Sequence, residues 1–167
     1  VLYLTVDEDE IVLQMLENAY DKPFVSVASE DALPVTDAEK ASVEQAEKDH
    51  KALLDFAQET LKVEVSKVRI SKILQSGAVC LTAEGPVSLE MEKYFRKMRR
   101  DFPMSAQRVL ELNPDAPAFQ ALCKAYEEDK EKAAAYVEVL YNQALIIADL
   151  PLPDPARYAE LVCGLMK

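Results

Sequence analysis

Residues 107–115 read Gln107-Arg108-Val109-Leu110-Glu111-Leu112-Asn113-Pro114-Asp115. A short run rich in apolar residues, closed by a turn-forming Asn-Pro-Asp, predicts a strand over about 107–112. The chain beyond this strand is helical, with apolar residues at three- and four-residue spacing over about Ala116–Glu127, Lys130–Asp149 and Pro155–Met166. The chain before it supplies two more strands, about Val63–Ile70 and Ala78–Ala83, joined by a turn containing Ser76-Gly77 and read as a hairpin. Gly85-Pro86 then introduces a short helix, about Ser88–Arg99, that stops before Pro103. Upstream, Thr36 and Glu39 have capping-box spacing and open a long helix to about Leu61, with Val43, Ala46, Leu53, Leu54, Ala57 and Leu61 as its stripe.

The fold class is therefore α+β: a small, mainly antiparallel three-stranded sheet with a long helix, a short amphipathic helix and a C-terminal helical bundle. Residues 1–33 read separately, as strand (Val1–Thr5), helix (about Glu8–Ala19) and strand (Phe24–Val27). A β-α-β piece of that size cannot cover both faces of a sheet, so it is expected to be a fragment of an αβα layer. Asp31–Asp37, around Pro34, is the expected linker. The chain opens on Val1 rather than Met, and is read as a piece of a longer one.

The 167 residues suffice for one core without disulfides or metals. Only three are glycine, a bias toward helix. Net charge is -11, which argues against a general nucleic-acid or anionic-membrane binder. The charge is uneven: residues 1–50 net -10, 51–100 net +4 and 101–167 net -5. Cys80, Cys123 and Cys163 are odd in number and lack C-x-x-C spacing, which argues against a disulfide framework and a zinc site and points to a reducing compartment. Apolar runs reach five residues, far short of the roughly 20 that span a bilayer, and no signal peptide is seen.

Catalytic patterns are sparse. His50 is the single histidine, so a two-His metal site or a conventional triad cannot be built around others; on its helix's apolar stripe it reads as a packed or boundary residue. Phosphate-cradling glycine motifs and nucleophile elbows do not occur. Asp7, Glu8, Asp9 and Glu10 lack the alternating ligands and central Gly of a calcium loop and read as complementing a helix dipole. Lys93, Arg96, Lys97, Arg99 and Arg100 could form a phosphate-binding patch, or the solvated face of an amphipathic helix.

Two surfaces call for a partner. The short helix carries Val87, Met91, Tyr94, Phe95 and Met98 on one face, which reads either as core or as an adaptable binding surface. The penultimate helix has a stripe of Ala133, Tyr136, Val137, Leu140, Ala144 and Ile147, yet Val139, Leu145, Ile146 and Leu150 add apolar residues on other sides. The last helix adds Tyr158, Leu161, Val162, Leu165 and Met166, and Leu150–Pro155 turns it back into an αα-hairpin. Two such hairpins from two copies make a four-helix bundle. The dimer face so predicted comprises Tyr136, Val137, Leu140, Tyr141, Ala144, Leu145, Ile147, Tyr158, Leu161, Val162 and Leu165.

Several of these stretches resemble one family. Leu110-Glu111-Leu112-Asn113-Pro114-Asp115, Asn142-Gln143-Ala144-Leu145 and Asp154-Pro155 are similar to the C-terminal domain of the heat-shock protein 90 family of ATP-driven chaperones, in its bacterial form. Val68-Arg69-Ile70-Ser71 and Ser88-x-x-Met91 match in the same order, and Lys22-Pro23-Phe24 after an acidic helix resembles the end of that family's middle domain. The similarity spans essentially all 167 residues. It implies a middle-domain tail at 1–33 and a C-terminal dimerisation domain at 34–167. It implies a homodimer through the last two helices, and unfolded or partly folded client proteins held by Val87, Met91, Tyr94, Phe95 and Met98, with Ile11 and Met15 of the first helix near the same cleft. It further implies a cytoplasmic stress-response chaperone whose ATP and Mg belong to another domain of the full-length parent, with no cofactor, metal, catalytic residue, nucleic acid or membrane partner here. The competing readings are a dimeric scaffold or adaptor without chaperone activity, a nucleic-acid binder using residues 93–100, and a carboxylate enzyme.

Overall fold

The computed structural model describes residues 2–6, 9–16, 18–19, 22–24, 37–72, 74, 76–98 and 105–166. In chain order the elements are α1 (Asp9–Leu16), β1 (Asn18–Ala19), β2 (Lys22–Pro23), α2 (Asp37–Asp49), α3 (Lys51–Thr60), β3 (Lys67–Ile70), β4 (Val79–Glu84), α4 (Leu89–Met98), β5 (Gln107–Leu112), α5 (Pro117–Glu128), α6 (Lys130–Ile147) and α7 (Pro155–Leu165). The class is α+β, as expected. The chain divides into two compact units, one of Val1–Pro34 with Thr82–Gln107, the other of Val35–Leu81 with Arg108–Lys167.

In the larger unit the sheet departs from the expected hairpin. Its strand order is β3-β5-β4, so β5 lies between the two strands that are consecutive in sequence. β3 runs parallel to β5, pairing Lys67, Val68, Arg69 and Ile70 with Val109, Leu110, Glu111 and Leu112. The three-stranded sheet is mixed, with β3 parallel to β5. The physical reason lies in β5, where Val109, Leu110, Glu111 and Leu112 are consecutive buried residues, the signature of a strand covered on both faces and flanked on both edges. Arg69 and Glu111 meet as register partners: Glu111 Oε1 accepts from Arg69 Nε at 3.1 Å and Nη2 at 2.6 Å, and Oε2 accepts from the Ser71 hydroxyl at 2.8 Å. Of residues 63–66, expected as strand, Val63 and Glu64 are turn and Val65 and Ser66 are irregular; Val63 stands in solvent.

The expected long helix is two. His50 (φ -106°, ψ 14°) separates α2 from α3, although its carbonyl still accepts the amides of Leu53 and Leu54. Its ring packs edge-on against Phe119 of α5, with centroids 5.0 Å apart. Thr36, of the capping box, lies outside the described residues. Leu53, Leu54 and Ala57 of α3, Phe119, Leu122 and Ala125 of α5, and Ala133, Val137, Leu140, Ala144 and Leu145 of α6 form the helical side of the core. Asp129 caps α6 by accepting from the amides of Glu131 and Lys132, and Asp154 caps α7 through the Arg157 amide, with Pro155 at the first helical position. Helix α6 ends in a Schellman motif: Leu150 donates to the Leu145 carbonyl, Asp149 to that of Ile146, and Asp149 takes φ 54°.

In the smaller unit, residues 2–5 form no strand, and Leu2 and Tyr3 are exposed. β1 and β2 are instead a two-residue antiparallel pair between Asn18–Ala19 and Lys22–Pro23. Of the expected second strand only Phe24 is described, and it is irregular; residues 31–36 of the expected linker lie outside the described residues, and its last residue, Asp37, opens α2. Asp9 Oδ2 accepts the amides of Thr5 and Val6, so this carboxylate fastens the preceding backbone rather than the helix's own first turn.

The Arg69–Glu111 pair generates a stability prediction. Glu111→Ala, which leaves the Arg69 guanidinium buried, should lower unfolding free energy by about 3–5 kcal/mol. Arg69→Met combined with Glu111→Leu should lose clearly less. Urea unfolding followed by circular dichroism distinguishes the two, and an unchanged midpoint for Glu111→Ala would show the pair to be dispensable.

Candidate functional site

Helix α4 forms as expected. The Ser88 hydroxyl accepts the Met91 amide at 3.0 Å, and Gly85 at φ 83° makes the preceding turn. Its apolar residues do not all face the same environment. Val87 and Met91 are buried with Ala106 in a small cluster, against which Ala83, Leu89 and Phe95 pack. Tyr94 is half-buried, its ring 5.8 Å from that of Phe95, and Met98 is 67% exposed. Of the residues expected to meet clients, Val87 and Met91 are thus interior, Tyr94 and Phe95 form a rim, and Met98 is open to solvent. Met15 on α1 is exposed as well, whereas the side chain of Ile11 lies outside the described ones.

The sequence pattern also missed a residue. Glu92, on what read as the charged face, has no exposed surface; it pairs with Arg96 Nη2 at 2.8 Å and accepts the Ala106 amide at 3.1 Å. An acidic residue in a helix rich in charge gives no signal of burial, so periodicity alone could not find it. The base cluster is largely engaged: Lys93 pairs with Glu90 and Arg96 with Glu92, while Arg99 and Arg100 lie outside the described residues.

In the larger unit six residues of the expected dimer face lie in the interior of the single chain. Val137, Leu140, Tyr141, Ala144, Leu145 and Leu161 are already buried within one chain, because α3, α5 and α7 cover that side of α6. Tyr141 shows why: its hydroxyl accepts from Arg108 Nη1 at 2.9 Å and donates to Glu64 Oε2 at 3.1 Å, and burial pushes its pKa up to about 12. The side chains left for a partner are Tyr136, Tyr158, Val162 and Leu165, half-buried, with Ile147 at 66% exposure, and the unpredicted Ile146 and Met166 at 51% and 78%.

The same chain matches a family model described as "Hsp90 protein" over residues 1–167. It belongs to the Hsp90 family. Among its relatives are proteins named "Chaperone protein HtpG" from Bacillus subtilis (42% identical over 166 residues), Alkaliphilus oremlandii (41% over 167) and Clostridium botulinum (40% over 168), each covering 99–100% of this chain. The chain spans about a quarter of the length of these relatives, 26–27%. For this part of an Hsp90 protein, no helix among the described residues is long and apolar enough to cross a membrane, and no group of three or more His, Cys, Asp or Glu side chains converges as a metal site.

The three thiols differ in environment. Burial, then the Glu111 carboxylate 3.8 Å away, pushes Cys80 up to about 12; burial and then Glu127 raise Cys123, whose sulfur lies 3.8 Å from His50 Nδ1; Cys163 is exposed on α7. Iodoacetamide at neutral pH should label Cys163 first and Cys80 last, read by peptide mass spectrometry. As pH rises from 9 toward 12, an unfolded chain loses the Cys80 proton while the folded one keeps it, so this thiol's contribution to stability should fall across that window. Early labelling of Cys80 in the native protein would contradict the buried environment.

Proposed function

We propose that this chain is the dimerisation and client-holding part of a longer ATP-dependent chaperone. The observation that carries the reading is the set of apolar side chains that the last two helices leave uncovered, Ile146, Ile147, Val162, Leu165 and Met166, in a chain that belongs to the Hsp90 family. A second copy presenting the same face closes a two-fold bundle and removes these side chains from water, at roughly 25 cal/mol per Å² of apolar area. Permanent pairing then raises the effective concentration of the two distant nucleotide-binding parts for each other, making their closure intramolecular. ATP and Mg act in that remote part, and the residues here neither bind nor hydrolyse nucleotide.

Client capture rests on the outer side of α4. Tyr94, Phe95 and Met98 offer two aromatic rings and a flexible thioether, surfaces that adapt to many apolar segments without placed hydrogen bonds. The weak, broad affinity this gives suits a chaperone of unfolded proteins in the cytoplasm.

Ile146→Glu with Ile147→Glu should leave the fold of one chain intact, since substitutions at such surface positions usually cost within about 0.5 kcal/mol, yet convert the dimer to monomer by placing unpaired charges in the bundle. Sedimentation equilibrium measures this, and a variant as dimeric as the parent refutes the interface. Separately, Tyr94→Ser with Met98→Ser should keep the dimer and reduce suppression of a heat-unfolded protein's aggregation several-fold. Undiminished suppression would leave a dimeric scaffold without client binding at α4.

A further inference from the structure

Glu92 is a carboxylate without exposed surface in a cluster of few apolar residues, Val87, Met91 and Ala106 with Ala83, Leu89 and Phe95 around them. Its Oε1 pairs with Arg96 one turn on, and its Oε2 accepts the amide of Ala106, fourteen residues away at the entry to β5. A methionine or leucine here would be covered without the cost of desolvating a charge, so the carboxylate is poorly explained as a source of stability. What it adds is direction: a charge-assisted hydrogen bond fixes the rotation and depth of α4 against residue 106, and Met91, the adjacent residue, is turned inward by the same rotation.

We propose that Glu92 is a positioning residue that acts as a latch on α4. Bonded to the Ala106 amide, it keeps Val87 and Met91 covered and leaves Tyr94, Phe95 and Met98 outside. Released, the helix turns out and adds Val87 and Met91 to the surface available to an extended apolar segment of an unfolded polypeptide. The consequence for clients rests on the reading of α4 as their binding helix; the latch itself does not.

The test is Glu92→Gln, which keeps the shape and removes the charge, made in the 167-residue chain and compared with the parent. Native-state hydrogen exchange at the Ala106 amide and along α4 should become roughly tenfold faster or more, as loss of a charged hydrogen bond implies. Binding of a hydrophobic dye should rise, the dimer should persist, and suppression of a heat-unfolded protein's aggregation should increase. Unchanged protection at Ala106 and α4 would overturn the latch. Faster exchange and greater dye binding with unaltered suppression would uphold the latch and overturn α4 as the client helix. Should Glu92→Gln fail to fold, Arg96→Gln decides, since it removes the partly exposed half of the pair; a smaller acceleration at Ala106 is expected, and none would overturn the proposal.

Discussion

The larger unit is organised by a parallel pairing. β3 and β5 run in the same direction with Arg69 beside Glu111 at the centre of their register. Parallel neighbours cannot be joined by a tight turn, so the chain must travel from the end of one strand to the start of the other. Residues 71–106 make that journey, and β4 and α4 are what they form on the way. The helix read as client-binding is therefore an excursion demanded by sheet topology, attached at both ends to strands that the core holds firmly. The buried ion pair gives that topology its register: a slip of one residue in β3 would point Arg69 to the other face and leave Glu111 with neither its guanidinium nor the Ser71 hydroxyl.

Much of this was legible in the sequence, and the failures share a cause. The extents of β5, α4, α5, α6 and α7 come from local signals: turn residues at Asn113-Pro114, a Ser88 cap, aspartates at 129 and 154, and apolar spacing. Strand order did not, because Ser76-Gly77 is a sound local turn and nothing local reports that β5 will separate its flanking strands. The single long helix failed similarly: periodicity runs unbroken through His50, and the break accompanies a packing contact with Phe119, 69 positions away in the chain.

The expected dimer face is placed partly inside one chain. The sequence shows correctly that α6 carries apolar residues on more sides than one stripe can absorb. It cannot show which stripe a single chain uses for itself. Ala133, Val137, Leu140 and Ala144 of the stripe are buried where α3 and α5 pack on α6; of the residues that looked like an excess, Val139, Leu145 and Leu150 are buried too and Ile146 faces outward, as does Ile147 at the end of the stripe. What separates the exposed isoleucines from the rest is position: both lie in the last turn of α6, beyond the part of the helix that carries its buried residues.

Among the described residues two carboxylates are buried, Glu111 and Glu92, and each joins an arginine to a donor elsewhere in the chain. Their settings make the same chemistry act differently. Glu111 sits in a core with many fully covered leucines and valines, each contributing roughly 1.5–3 kcal/mol, so its bond fixes register within an assembly that is already cohesive. Glu92 sits among half a dozen apolar residues, several only partly covered, where one charged hydrogen bond of about 1.5–3 kcal/mol is comparable with what any neighbouring side chain supplies. Local opening is governed by the sum of the contacts that must break together. In the small cluster a single carboxylate is a large part of that sum, and the proposed latch would make the packing of α4 adjustable within its own unit.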